Sequence, residues 1–207
     1  HGAGYRAAAF VSGFPLDRRF GMGRGFERYD DRLPRGRDAR RAPYVERPAD
    51  ATTAAVLGWL DGDVSTARWF AWVHYFDPHS PYEPPGEYAR RFAERPYDGE
   101  IAFVDAQFGR LIDALGAKEL LARTLVLVTA DHGESLGEQD YWFEHGRNAS
   151  EATCRVPLLV RWPESLAGRP APGVRHGDVS LADVAPTLLE LLRLPPLPAS
   201  SAVHGVS

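Results

Sequence analysis

The sequence contains very little of several residue types that often define a class of protein. Cys154 is the only cysteine, which excludes an internal disulfide and leaves the redox compartment undecided. Lys118 is the only lysine, so arginine supplies almost all of the positive charge. The formal net charge of -4 gives no argument for binding a polyanion, and we therefore expect no nucleic-acid partner.

The sequence also lacks a long hydrophobic run. Spanning a bilayer takes about 18 or more unbroken apolar residues, and the visible chain has no such segment. The chain begins at His1 instead of methionine, and its opening run to Phe14 shows no charged leader followed by an apolar stretch. We therefore expect a chain truncated at its amino terminus, and the cellular location, including export to the periplasm or secretion, stays open.

The 207 residues, 44% of them hydrophobic, are enough to form one core of single-domain size. Short apolar runs predict strands, and apolar residues at helical spacing predict helices. Their alternation predicts an α/β fold with a layered, mostly parallel sheet and helices on both faces. The strands are expected at 7–12, 69–76, 124–129 and 156–162, and the helices at 51–60, 101–115 and 183–192.

Three local patterns give more specific expectations. The continuous apolar run at 124–129 is typical of a strand buried on both faces of a parallel sheet. Gly116 is expected to end the helix that precedes this strand. Residues 18–47 are rich in arginine, aspartate, glycine and proline and are expected to form an irregular surface excursion, with a Pro-rich tail at 195–207. We expect no domain boundary within 1–207.

The first candidate site lies directly after the strand at 124–129. In open α/β sheets, ligand sites gather at the carboxyl ends of strands. Asp131 and His132 occupy such an end, and Gly133 allows a tight turn there. The carboxylate and the imidazole could provide two ligands to one divalent cation. Asp131 could equally cap the next segment with His132 on the surface, and spacing alone does not separate these alternatives.

A second polar cluster lies at the end of the strand expected at 69–76. Strand alternation places His74 and Phe76 on one face, and Asp77-Pro78 turns the chain so that His79 can project above the strand end. A neutral histidine there can donate a proton to a leaving group or hold an anionic oxygen. For His74 a hydrogen-bonded core histidine is the favoured interpretation, and Asp77 is either a turn former or a ligand.

A third cluster, Glu144-His145-Gly146, lies some dozen residues after Asp131 and means little alone. Taken together, these stretches resemble the sulfatase family within the alkaline phosphatase superfamily. Each stretch is weak alone, but together they cover nearly the whole chain in the family's order. The matching stretches are 4–5 with 9–12, 74–79 with 81–82 and 84–85, 97–101, 129–134 with 136–138, 145–146, 155–159 and 183–188.

The resemblance implies an alkaline-phosphatase-like fold and hydrolysis of a small-molecule or carbohydrate sulfate ester by formylglycine beside a calcium ion. The family makes formylglycine from the first residue of a Cys/Ser-x-Pro/Ala-x-Arg motif, which we expect upstream together with an acidic pair of metal ligands. Cys154 does not begin this motif, because Leu158 stands where arginine is needed. We interpret Cys154 as a structural thiol.

The resemblance also assigns roles residue by residue. Asp131 and His132 match the family's late calcium ligands, and His79 matches the histidine that contacts the ester and assists departure of the leaving group. Many sulfatases bind the sulfate with a lysine shortly after the metal pair; this sequence has none there, and His145 is the nearest replacement. The implied function is a metal-dependent sulfuric ester hydrolase, with this chain inactive by itself.

Two other functions remain open from the sequence. A phosphoesterase or phosphonate monoester hydrolase of the same superfamily would share the Asp-His pair and the geometry of anion binding. Alternatively, the chain is a non-catalytic remnant that serves as a binding module. The expected truncation at the amino terminus and the Arg-rich excursion at 18–47 would fit this interpretation. The presence of all four candidate residues, His79, Asp131, His132 and His145, argues against such a remnant.

Overall fold

The structure is a computed structural model that describes residues 3–33, 46–62 and 67–197, so 34–45 of the predicted excursion and 198–207 of the predicted tail lie outside it. Within the described part, no helix is long and apolar enough to cross a membrane. The strands are β1 (Arg6–Phe10), β2 (Arg28–Asp30), β3 (Trp69–Val73), β4 (Val126–Thr129), β5 (Ser135–Leu136), β6 (Trp142–Glu144) and β7 (Leu158–Arg161). The helices are α1 (Ala49–Leu60), α2 (Gly86–Arg91), α3 (Pro96–Ala117), α4 (Glu151–Cys154) and α5 (Val184–Leu191).

β1 is the central strand of a three-stranded parallel sheet with the order β2-β1-β3. Ala8 pairs with Arg28 of β2 on one side and with Ala71 of β3 on the other. Residues 8–10 are fully buried, as expected for a short apolar strand with neighbours on both sides. The prediction of a strand over 7–12 is confirmed.

β2 corrects the prediction of an irregular surface excursion over 18–47. Asp30 in this strand is only 5% exposed, and its carboxylate accepts hydrogen bonds from Arg28, Arg32 and the buried Arg47. Burial acts to raise the pKa of Asp30, but the three guanidinium groups outweigh it and hold that pKa below its usual range. A polar sequence can form this buried strand because its charge is neutralised by hydrogen-bonded partners.

Helices α1 and α3 pack against the face of the sheet that carries Phe10. The rings of Phe10 and Trp59 lie 5.8 Å apart, and Leu111 and Leu115 of α3 complete the cluster. Burial of each large apolar side chain contributes about 1.5–3 kcal/mol. The helix predicted at 51–60 is confirmed as α1.

The amphipathic helix predicted at 101–115 is confirmed as α3, but its end is different. Gly116 lies within the last turn of the helix and does not end it. The chain reverses at Glu119, whose φ of 56° is left-handed, and the Leu120 N–H then donates to the Leu115 carbonyl at 2.9 Å. Because Leu120 is fully buried, its packing holds Glu119 in a conformation that glycine usually occupies.

β4 leads directly to the candidate site, but its pairing differs from the prediction. It pairs antiparallel with β7, with Val126 opposite Arg161 and Thr129 opposite Leu158. Its residues are only partly buried. The expectation of a strand at 124–129 buried on both faces of a parallel sheet is therefore wrong in both respects, because an apolar run does not encode the direction of the neighbouring strand.

The last elements agree with the sequence patterns. The strand expected at 156–162 is observed as β7, and the helix expected at 183–192 is observed as α5. Ser180 caps a short turn before α5, since its hydroxyl accepts the Ala182 N–H while Asp183 accepts the Ser180 N–H. These reciprocal bonds satisfy backbone donors that would otherwise have no partner.

Candidate active site

Asp77 anchors the loop that follows β3. Its Oδ1 atom accepts the N–H of Ala49 at 2.9 Å and so ties the loop to the first turn of α1. Its Oδ2 atom is buried and has no partner among the described residues. Burial raises the pKa of Asp77 to about 6, although the hydrogen bond from Ala49 acts to lower it. These contacts support the structural interpretation of Asp77 over that of a ligand.

Three histidines from three different loops lie together. The rings of His132 and His145 stack with centroids 3.9 Å apart, and His79 meets His145 edge-on at 5.2 Å. Phe76 stacks on His79 at 4.3 Å and holds that ring in place. The fourth predicted residue, Asp131, lies beside them, with its Oδ1 atom 3.8 Å from Nε2 of His132. The structure therefore brings all four predicted site residues to one place.

Hydrogen bonding defines which nitrogen of each ring carries a proton. Every one of the three rings places Nδ1 beside an oxygen that can only accept, so Nδ1 is the protonated atom. In a neutral ring Nε2 therefore holds a lone pair. The acceptors are the Ser80 carbonyl for His79 at 2.7 Å, the Gly133 carbonyl for His132 at 2.9 Å and the Glu134 carboxylate for His145 at 3.2 Å.

The environment of His79 limits how it can act as an acid. Burial lowers the pKa of His79, the hydrogen bond to Ser80 acts to raise it, and the nearby His145 acts to lower it again. The neutral ring can accept a proton at Nε2 but has none to donate there. His79 must therefore become imidazolium before it can protonate a leaving group.

Asp131 and His132 are open to solvent, with side chains 78% and 40% exposed. The carboxylate of Asp131 accepts the backbone N–H of His132 at 3.0 Å, which holds the two residues in one turn. In the described part of the chain, no group of three or more His, Cys, Asp or Glu residues is arranged to hold a metal ion. The pair fits part of a divalent-cation site, with one carboxylate oxygen and one imidazole nitrogen as donors.

His74 lies beneath this cluster. Its ring packs between Trp72 at 6.3 Å and Phe76 at 6.1 Å, as expected for a core histidine. Burial lowers the pKa of His74, and the charge of Asp131 acts against this effect. Its buried Nδ1 atom has no hydrogen-bond partner among the described residues.

Glu134 is a residue of this site that the sequence reasoning missed. Its side chain is 4% exposed, and its Oε1 atom contacts Nδ1 of His145. The buried hydroxyl of Tyr82 lies on the same side, where burial and the charge of Glu134 raise the pKa of this tyrosine. The position of Glu134 one residue before β5 was the available signal, because an antiparallel hairpin brings it opposite His145.

One further segment, 165–169, fits the Ser-x-Ala-x-Arg spacing of the formylglycine motif, which the sequence reasoning overlooked. It follows β7 and lies near the amino end of β4, where Val126 pairs with Arg161 and Ser165 approaches the Ala122 carbonyl. Asp131 leaves the opposite end of β4. A four-residue strand separates the two ends by roughly 10 Å. Ser165 is therefore not placed to attack a group bound beside Asp131.

Comparison with known proteins identifies the class to which this fold and site belong. A model of the sulfatase family matches residues 1–194. The choline-sulfatase of Rhizobium meliloti (strain 1021) is 36% identical over 125 residues, which is 56% of this chain and 23% of that relative. The chain belongs to the sulfatase family, and it spans about a quarter of the length of this relative.

Solved structures share the fold. One is a protein in complex with its substrate D-glucosamine-2-N,6-O-disulfate, with a TM-score of 0.67 and 18% identity, covering 100% of this chain and 61% of the other. The phosphonate monoester hydrolase of Agrobacterium radiobacter has a TM-score of 0.69 and 22% identity, covering 94% of this chain and 57% of the other. The predicted alkaline-phosphatase-like α/β fold is confirmed.

Proposed function

We propose that the protein to which this chain belongs hydrolyses sulfate esters. The observation that carries the proposal is the convergence of His79, His132 and His145 beside the exposed Asp131. Membership of the sulfatase family and the similarity to a choline-sulfatase support sulfate as the transferred group. The position of the cluster at the carboxyl ends of β3 and β4 is typical of ligand sites in α/β folds.

The proposed substrate is a small-molecule or carbohydrate sulfate ester. The structural relative that binds a glucosamine disulfate supports a sulfated sugar. The solvent exposure of Asp131 and His132 leaves an open side to the site, through which such a group can approach. The imidazole rings and the aromatic residue Phe76 provide flat surfaces beside it.

Asp131 and His132 would hold a divalent cation, which we propose to be calcium. The Nδ1 atom of His132 is already engaged with the Gly133 carbonyl, so its Nε2 lone pair is oriented as in metal-binding histidines. A bound cation supplies positive charge that stabilises the oxygens of the transferred group. The nucleophile in this proposal is formylglycine from a segment outside this sequence.

His79 and His145 would act on the ester. His145 would orient the anionic sulfate in place of the usual lysine; for this its ring must be imidazolium, with a proton on Nε2 as well as on Nδ1. It is the ring in contact with both His132 and His79. His79 would contact the ester oxygen and, as imidazolium, give its Nε2 proton to the departing alcohol. Its stacking on Phe76 keeps the ring in one orientation during both steps.

An activity assay of the full-length gene product tests this proposal. We expect release of nitrophenol from para-nitrophenyl sulfate in the presence of calcium, and a loss of at least about 100-fold in kcat/KM for Asp131→Asn. The variant His176→Gln is the matched control, because this histidine is exposed and lies outside the cluster. It should keep wild-type activity. The 207-residue chain alone should release no nitrophenol.

Two results would contradict the proposal. Preferential cleavage of para-nitrophenyl phenylphosphonate would favour a phosphonate monoester hydrolase, the function of one structural relative. Absence of activity on both substrates, together with a chelator-insensitive unfolding transition, would favour a non-catalytic binding module. If the protein is such a binding module, Asp131→Asn should change neither its stability nor its calcium binding.

A further inference from the structure

The contact between Glu134 and His145 differs from the contacts of the other two imidazoles. His79 and His132 donate Nδ1–H to backbone carbonyls, whose positions are set by the path of the chain. His145 instead donates to the side chain of Glu134 at 3.2 Å. Of these three Nδ1 contacts, the one at His145 depends on the identity of another side chain.

The β5–β6 hairpin brings these two side chains together. Ser135 of β5 pairs with Glu144 of β6 in antiparallel register, so Glu134 and His145 are the next residues facing each other across the hairpin. The hydroxyl of Tyr141 also donates to the His145 carbonyl at 3.3 Å and fixes the backbone at that position. The contact is thus built by the local fold.

Burial makes this contact a strong constraint. The carboxylate of Glu134 is 4% exposed, whereas the ring of His145 is 29% exposed. Tyr82 and Tyr97 lie on the buried side. Burial, then the hydrogen bond with Glu134 and its charge, raise the pKa of Tyr82, and burial followed by the charge of Glu134 raises the pKa of Tyr97. A carboxylate withdrawn from water needs hydrogen-bond donors. The Nδ1–H of His145 provides one of them, so replacing His145 removes a donor from a buried carboxylate.

The contact also sets the direction of the second ring nitrogen. Nδ1 and Nε2 lie on different edges of the imidazole, so a bond from Nδ1 to a buried carboxylate turns Nε2 toward the more open side. The face of the same ring stacks on His132, whose side chain is 40% exposed. Nε2 therefore lies on the edge of the ring away from the buried carboxylate, in a ring that packs beside the exposed part of the site.

We propose that Glu134 is a positioning residue, which accepts the Nδ1–H of His145 and so keeps the ring in one orientation, with Nε2 as the nitrogen left for the substrate. This inference rests on the sulfatase function proposed above. Glu134 itself touches neither the substrate nor the cation in this arrangement. Its contribution is to keep one ring orientation and one tautomer available to the substrate.

NMR of isotope-labelled imidazole nitrogens in the 207-residue chain tests the tautomer directly. In the wild type we expect a pyrrole-like Nδ1 and a pyridine-like Nε2 for His145, with the signals identified by their loss in His145→Gln. Glu134→Leu removes the acceptor but keeps an apolar bulk, and we expect its Nδ1 signal to move toward the pyridine-like position. An unchanged signal in Glu134→Leu would overturn the proposal.

Two further variants separate positioning from folding. Glu134→Gln keeps an acceptor oxygen and should retain the wild-type tautomer. Glu138→Gln changes another carboxylate of the hairpin, one that accepts the Leu136 N–H; it should leave the His145 signals unchanged. If Glu134→Gln and Glu134→Leu shift these signals equally, the acceptor does not set the tautomer and the proposal is wrong.

Kinetics of the full-length gene product give an independent readout. We expect Glu134→Leu to lower kcat about 10- to 100-fold with little change in KM, and Glu134→Gln to recover part of that loss. An equal loss in both variants would contradict a positioning role. If the wild type cleaves no sulfate ester while the tautomer still depends on Glu134, the sulfatase function fails and the positioning role stands.

Discussion

At the scale of single residues, the candidate site is organised by hydrogen-bond acceptors that lie beside each imidazole. His79, His132 and His145 all donate from Nδ1, and their partners differ only in being a carbonyl or a carboxylate. In a neutral ring this common arrangement places the lone pair on Nε2. The three imidazoles thus provide the titratable groups, and the acceptor beside each Nδ1 determines which ring nitrogen carries the proton.

The turn that follows Asp131 depends on the backbone of Gly133. Its N–H donates to the Thr153 carbonyl at 2.8 Å, and a Cβ atom at this position would overlap the carbonyl oxygen of Ala152. We expect Gly133→Ala to lower the free energy of unfolding by about 1–3 kcal/mol, because the turn after Asp131 must move away from α4. The measurement is urea denaturation followed by circular dichroism.

Gly109→Ala is the matched control for this change. Gly109 lies within α3, and a Cβ atom there would meet no other atom within 4 Å. Alanine should stabilise the helix by about 0.5–1 kcal/mol, because it has less backbone freedom to lose on folding. Equal denaturation midpoints for Gly133→Ala and the wild type would show that the turn tolerates a side chain.

The residues that the sequence singled out lie together in the structure, but not all of their contacts were predicted. Asp131 and His79 were found because each follows a strand that is recognisable from its apolar residues. Glu134 was missed because its role depends on the register of a hairpin whose strands have only two and three residues. Such short strands carry too few residues to show an alternating pattern.

At the scale of secondary-structure elements, the positions of strands were easier to predict than their pairing. The apolar runs located β1 and β4, but β4 pairs antiparallel with β7 where a parallel neighbour was expected. β2 was not predicted, because one partner of its buried carboxylate at Asp30 is Arg47, which lies 17 residues away in the sequence. Long-range charge pairing of this kind leaves no periodic signal in the chain.

α1 illustrates how one element depends on a loop from another part of the fold. The residue before the helix, Pro48, makes no side-chain capping bond, and the Ala49 N–H is instead accepted by Asp77. We expect Asp77→Ala to lower the free energy of unfolding by about 1–2 kcal/mol, because a buried N–H loses its acceptor. Asp77→Asn keeps an acceptor oxygen and should recover most of this stability.

Asp105→Ala is the control for the loss of an aspartate without the loss of a cap. Asp105 lies on the exposed face of α3, and its replacement should change stability by no more than about 0.5 kcal/mol. Thermal and urea unfolding of the three variants give the comparison. Equal stability of Asp77→Ala and Asp105→Ala would show that α1 does not need the cap from the site loop.

At the scale of the whole molecule, the net charge of -4 conceals two separate charged regions in the described part of the chain. Three arginines surround Asp30, whereas Glu46, Asp77 and Glu100 lie close enough to influence one another's ionisation. Asp77 and Glu100 each have a buried carboxylate oxygen without a partner among the described residues. The acidic region therefore favours protonated carboxyl groups.

The pKa values of the acidic region predict how stability varies with pH. Burial raises the pKa of Glu100 from 4.5 to about 8, with the Glu83 N–H opposing and the charges of Glu46 and Asp77 adding to the rise. Burial similarly raises the pKa of Glu46 to about 7. At these two carboxyl groups the folded state binds more protons than the unfolded chain, so they make stability fall as the pH rises from about 5 to about 8. The lowered pKa values of His74 and His79 act in the opposite direction below about pH 6.5.

We expect the free energy of unfolding to decrease by a few kcal/mol in total between about pH 5 and pH 8, since each pKa unit corresponds to about 1.4 kcal/mol. Glu100→Gln imitates the protonated side chain and should make this decrease markedly smaller, whereas Glu94→Gln changes an exposed glutamate and should leave it unaltered. Urea denaturation at successive pH values measures the slope. If Glu100→Gln leaves the slope between about pH 5 and pH 8 the same as in the wild type, Glu100 does not take up a proton on folding and the prediction is wrong; this comparison cancels the opposite contribution of His74 and His79, whose pKa values burial lowers.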